Sequence, residues 1–163
     1  FWSAGREMQR LRLRFSRGPE LKYISHLDLM RAWERAFRRA KLPLAYSQGF
    51  TPHPRISLAA PLPLGVTSDA EMMELYLTRW LSTQTFLSMV GAQIPPGLGI
   101  SEVWIIGEQA PSLQSQVSFA GYRVGISQEI SLAELKEKAG HLLKVHFGRM
   151  KLEQRSLLCL MLI

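Results

Sequence analysis

Apolar and polar residues alternate strictly over "QRLRLRFSR" (9–17), with Leu11, Leu13 and Phe15 on one side and Arg10, Arg12 and Arg14 on the other. A period of two predicts a half-buried β-strand. "RGPE" turns the chain, and Ser25 with Asp28 three residues on makes a variant of the capping box. Beyond it Leu29, Met30, Trp33, Ala36, Phe37 and Ala40 recur at helical spacing. Pro43 ends this helix. At about 100° per residue, Arg31, Arg35 and Arg38 fall on one helix face, with Arg39 at its flank.

The pattern then returns to strands. "RISLAAPLPLG" (55–65) starts as one, and Pro61 and Pro63 make its end an edge or irregular segment. After "GVTSD", residues 71–80 place Met73, Leu75 and Leu77 on one face and Glu74, Tyr76 and Thr78 on the other. Ser82 or Thr83 opens a short helix carrying Phe86, Leu87 and Val90, "IPPGLG" breaks it, and residues 100–108 read as a strand. The order β-α-β-β-α-β over 9–108 predicts an α+β chain with a ferredoxin-like unit. Helices would cover one sheet face, leaving Arg10, Arg12 and Arg14 beside Glu74 and Tyr76 on the other. Residues 109–116 read as a polar linker. Residues 117–163 start a second, incomplete unit: a strand, then a helix capped by Ser131 and Glu134.

Composition narrows the chemistry. The 163 residues are 47% hydrophobic and carry a net charge of +7, with a pI near 10.0. Such a chain can bury a core, and its charge favours a polyanionic partner, nucleic acid or an anionic surface. One cysteine, Cys159, cannot form an intrachain disulfide, a four-cysteine zinc site or an iron–sulfur cluster. A reducing cytoplasm follows as the economical reading. "FWSAGREMQR" lacks the apolar centre of a signal peptide. "LLCLMLI" (157–163) is too short to span a bilayer and is either a strand or an out-of-frame tail. No membrane partner, metal or cofactor is expected, and no glycine-rich motif supports ATP or NAD.

Two surfaces hold candidate chemistry. The first is the stripe Arg31, Arg35, Arg38 and Arg39 with Lys41, opposed only by Glu34. Guanidinium forks suit phosphate, while the plain alternative is a solvated face with a Glu34–Arg38 pair. The second is "AYSQGFTPHPR" (45–55). There Pro52 and Pro54 hold Thr51 and His53 extended. Ser47, Gly49, His53 and Arg55 would form a phosphate-cradling wall, or the loop would serve only to bury Phe50. An imidazole can pass a proton as a general acid or base, the role open to His53. With His26 and Tyr46 it is the candidate acid–base set, and His26, Asp28 and His53 make a poor metal cluster because Asp28 is committed to capping. For the arginine-lined sheet face, Arg12 or Arg14 pairing with Glu74 is the plain reading against base stacking on Tyr76.

The run from Tyr23 to Ser68 closely resembles the bacterial radical SAM-linked protein family, a domain of unknown function. The shared block is Ser25-His26-Leu27-Asp28, Arg31, Arg35-Ala36, Arg38-Arg39-Ala40, Tyr46-Ser47, Gly49-Phe50, Pro52-His53-Pro54-Arg55-Ile56-Ser57 and Pro61-Leu62-Pro63-Leu64-Gly65. The match is dense from Arg10 to about Leu77 and thins towards residue 147. Residues 1–7 and 149–163 do not look like the family, as a truncated or frameshifted chain would show. The resemblance implies fusion to, or encoding beside, a B12-type radical SAM protein, often near ribonuclease and ribosomal-protein genes. The chain lacks that chemistry's three-cysteine motif. An accessory role follows: an RNA-binding or substrate-recognition module, the RNA being transfer or ribosomal, without catalysis of its own. The alternatives are a metal-independent endoribonuclease resembling the CRISPR RNA-processing nucleases, and a protein-docking module whose arginines meet an acidic partner.

Overall fold

A computed structural model describes residues 8–107, 109–125, 131, 133–134, 136–138, 140, 148–153 and 156–162. The alternating opening is strand β1 (Gln9–Arg17), and a short 3₁₀ turn leads from it to helix α1 (His26–Arg39). Strands β2 (Ile56–Leu58) and β3 (Ser68–Leu77), helix α2 (Thr83–Gly91) and strand β4 (Leu98–Ile106) follow. The four strands form an antiparallel sheet in the order β2-β3-β1-β4, so the chain is α+β. β3 opens three residues before the predicted start because β1 reaches that far: Arg17 stands opposite Ser68. β2 is only three residues long, since the prolines after it cannot donate to a ladder.

One face of this sheet is the core. Leu11, Leu13 and Phe15 of β1 and Met73, Leu75 and Leu77 of β3 are fully buried beneath Trp33 and Phe37 of α1 and Phe86 and Val90 of α2. Phe15 meets Trp33 edge-on at 5.1 Å between ring centres, and Trp33 stacks on Phe37 at 5.3 Å. Such ring pairs contribute beyond their buried area. The same period of two carries Arg17 onto the core face. It is fully buried and donates to the carbonyls of Leu21, Lys22 and Ile24 at 3.0, 3.0 and 2.9 Å, clamping the turn that leads into α1.

Both ends of α1 are closed by local chemistry. The Asp28 amide donates to Ser25 Oγ at 3.1 Å, and that hydroxyl donates back to the Asp28 carboxylate at 2.7 Å. The Ser25 bond, joined by Arg31, holds Asp28 below the usual carboxylate range. At the far end the Lys41 amide bonds to Arg38 O and the Leu42 amide to Phe37 O, the paired bonds of a Schellman motif. Lys41 takes the left-handed conformation, φ 52°, that this motif demands. The helix therefore ends before Pro43 acts.

Glu71, on β3 opposite Phe15, is pushed up from its ordinary pKa by burial, against the opposing pull of Ser68 and the Arg17 charge. A raised folded-state pKa means the folded protein holds this proton more tightly than the unfolded chain. Its contribution is present at low pH and lost as pH rises through the folded value. Glu71→Gln, which keeps the neutral shape, is therefore expected to raise urea resistance at about pH 7. The gain should vanish below about pH 4, where both states of the wild type are protonated.

The chain divides into two compact units at Gln114/Ser115. Residues 109–116 are more than a tether. Leu113, opening the short helix α3 (Leu113–Gln116), is buried, and Gln114 donates to Leu58 O at 2.8 Å. In the second unit, β5 (Phe119–Gly125), β6 (Gly148–Glu153) and β7 (Ser156–Leu162) form an antiparallel sheet in the order β5-β7-β6. The apolar tail is thus its central strand. Of the predicted helix, the Glu134 amide does donate to Ser131 Oγ at 3.2 Å. Residues 132, 135, 139 and 141–147 of that prediction lie outside the described residues.

Candidate nucleic-acid interface

α1 turns Trp33, Ala36 and Phe37 into the core, which leaves Arg31, Arg35, Arg38 and Arg39 exposed on its outer side. Arg31 makes an exposed pair with Asp28 at 3.3 Å, worth little in water. Arg39 donates to Gln93 O at 2.6 Å, which ties the flank of the stripe to the turn after α2. The Glu34–Arg38 pair weighed from spacing is not among the ion pairs of the described residues. Arg38 and Lys41 therefore present their charge to solvent at the end of the helix. Between Glu34 and Asp69 the chain has no acidic side chain at all, so nothing in this stretch neutralises them.

Five residues beyond Lys41 the chain enters a projecting hairpin. The Arg55 amide donates to Ala45 O at 2.8 Å, Tyr46 bridges to Pro54, and the Ser47 amide donates to His53 O at 2.8 Å. Ser47 Oγ accepts from the His53 amide at 3.0 Å. Gly49 adopts φ 143°, and a Cβ there would meet nothing within 4 Å, so glycine serves the turn and not a close approach. Phe50, given above a packing role, is instead fully exposed at the tip. The physical reason is register: the Ala45–Arg55 and Ser47–His53 pairs carry residues 48–52 beyond the end of the sheet, out of reach of any core group.

The hairpin gathers Tyr46, Ser47, Gly49, His53 and Arg55. The Arg55 guanidinium lies 4.1 Å from the centre of the Tyr76 ring and donates from Nη1 to Met8 Sδ at 3.3 Å, a close cation–π stack that fixes the side chain. His26 is elsewhere. It begins α1, just after the turn clamped by Arg17, whereas the hairpin roots at Tyr76 and Leu77, and Leu77 pairs with Gln9. The length of β1, about 30 Å at ~3.3 Å per residue, separates the two ends. The acid–base pairing of His26 with His53 is thus not assembled within the chain, nor is a cluster of the two with Asp28. Among the described residues no group of three or more His, Cys, Asp or Glu is placed to hold a metal.

The sheet face opposite the helices is occupied by its own residues. Glu74 accepts from Arg10 at 2.8 Å and from Arg12 at 2.6 Å, while Arg14 pairs with Glu102 at 2.7 Å. Arg10 also donates to Ala110 O and Pro111 O at 2.6 and 2.8 Å, so that residues from the expected linker cover it. Tyr76 lies under Arg55 and beside Arg10, and Arg14 lies over the Trp104 ring at 5.5 Å. The aromatic rings of this face are engaged by internal cations. Sequence reading missed Trp104, because only the β1–β4 register sets it opposite Arg12.

A small antiparallel sheet backed by two helices, with a cationic helix face running into a stiff hairpin, defines an α+β protein with a basic outer surface. No helix among the described residues is long and apolar enough to cross a membrane. The chain belongs to a family of uncharacterized proteins conserved in bacteria (DUF2344), matched over residues 10–156. That span includes residues 149–156, expected above to fall outside the family. No match was found among curated proteins.

Proposed function

We propose that the chain is an accessory RNA-binding or substrate-recognition module, without catalysis of its own, serving a cytoplasmic radical SAM enzyme that modifies RNA. The observation that carries the RNA reading is the carboxylate-free stretch from Arg35 to Ser68. It contains the exposed cations Arg35, Arg38, Arg39 and Lys41 and continues into the hairpin of Ser47, His53 and Arg55. Exposed arginines in excess over carboxylates attract phosphate, and a helix and a hairpin fixed to one sheet hold them at constant spacing. The radical SAM partner rests on the resemblance of the Ser25–Gly65 block. The first unit fits the ferredoxin-like arrangement, supported by the β2-β3-β1-β4 order with both helices on one face.

The test is an electrophoretic shift with transfer RNA and ribosomal RNA fragments across a salt series. We expect binding at about 50 mM salt that weakens steeply towards 200 mM, as phosphate contacts require. Absence of a shift at the lowest salt would overturn the reading.

A further inference from the structure

We infer that Phe50 is a stacking platform for an unpaired base of single-stranded RNA; this rests on the RNA reading above and names the form of RNA that the hairpin takes. A lone exposed apolar side chain is ordinary on a protein surface. Phe50 differs in how it is held. The hairpin beneath it is closed by the Ser47–His53 and Tyr46–Pro54 pairings, stiffened by Pro52 and Pro54, and turned by Gly49 at φ 143°. The ring is fully exposed, and nothing in the fold is gained by its presence. A rigid support lowers the entropy lost when a partner docks on the ring.

The occupant follows from the surroundings. A flat apolar ring asks for a flat partner, and the chain that carries it is cationic or polar: Tyr46 and His53 share its hairpin, Arg55 closes the hairpin's base, and Arg38 and Lys41 precede it in the sequence. No acidic side chain occurs between Glu34 and Asp69. A π-surface attached to repeated negative charge is a nucleic-acid base on its phosphate backbone. Only unpaired bases offer a free face, since in a duplex the faces are stacked on one another. The aromatic rings of the open sheet face are already taken by Arg14 and Arg55. Of the other exposed rings among the described residues, Tyr23 carries Lys22 over its face and Trp80 lies outside the carboxylate-free stretch, whereas Phe50, the most exposed, stands at the tip of the hairpin within it.

The experiment uses the full chain with two probes: a single-stranded oligoribonucleotide carrying 2-aminopurine, and the duplex it forms with its complement. Stacking contributes about 1–3 kcal/mol per base. Phe50→Ala is therefore expected to weaken single-strand binding about 5- to 150-fold and to relieve the quenching of 2-aminopurine. Duplex binding and the salt slope should stay unchanged, and Phe50→Trp should retain wild-type affinity. Because the ring touches nothing, both variants should keep the wild-type circular dichroism. If Phe50→Ala binds the single strand within twofold of wild type, with equal quenching, the stacking inference is overturned while the RNA reading stands, and the tip is left to a protein contact. If wild type binds neither probe at low salt, the RNA reading itself is overturned.

Discussion

Glu74→Ala should lower the unfolding free energy by about 3–5 kcal/mol, the usual cost of leaving a buried charge without its partner. Glu74 is 2% exposed and Arg10 3%. Both Arg10 Nε and Nη2 reach one carboxylate oxygen, at 3.2 and 2.8 Å, and Arg12 Nε and Nη2 reach the other, at 2.9 and 2.6 Å. Removing the carboxylate strands the buried Arg10 guanidinium beside the Arg12 cation, the Tyr76 ring and the Ala110 and Pro111 carbonyls, none of which neutralises its charge. Arg12→Ala should cost much less, because Glu74 keeps Arg10 and Arg12 is partly solvated. A urea titration followed by tryptophan fluorescence distinguishes the two, and equal losses would show that the carboxylate does not hold the network together.

Changing Arg31, Arg35 and Arg38 together to glutamine should reduce RNA affinity on the order of 100-fold near 0.1 M salt. It should flatten the slope of log affinity against log salt by about 2 to 3, since each lost phosphate contact removes roughly 0.7–0.9. Glutamine has helix propensity close to that of arginine, and none of the three side chains enters the core. Stability should therefore hardly move. The matched control removes the same charge from exposed positions of the second unit, Arg123, Lys136 and Lys138. If that control weakens binding as much as the helix variant, net charge and not the α1 face governs the interaction.

How much of this was legible beforehand depended on range. The period of two in 9–17 and the spacing of Leu29, Trp33, Ala36 and Phe37 gave the first strand, the first helix and their buried faces, because both signals are local. The Arg–Glu reading of the open face was also correct in kind, but the partners are Arg10 and Arg12 rather than Arg14. What alternation cannot convey is that Ala110 and Pro111, a hundred positions away, close over Arg10. Arg17 was legible and missed: it continues the series Leu11, Leu13, Phe15, and only the assumption that arginine faces water concealed it. Phe50 failed in the opposite sense. An apolar residue between polar neighbours invites burial, yet the pairing register of the loop, which no composition records, carries it past the sheet. His26 and His53 looked related through sequence proximity, while the strand between their positions holds them at opposite ends.

Lys41 gives the salt series a second meaning. Glycine would take φ 52° without strain, whereas a side chain there costs roughly 1 kcal/mol. The lysine charge beside the negative end of the α1 dipole returns about 0.3–1 kcal/mol of that, but only while ions do not screen it. Added salt therefore loosens the last turn of α1 over the same range in which it would release RNA held there as proposed. In such a complex the steepness of binding against ionic strength would measure two things at once: counterions set free by the ligand, and the firmness of the helix end that meets it.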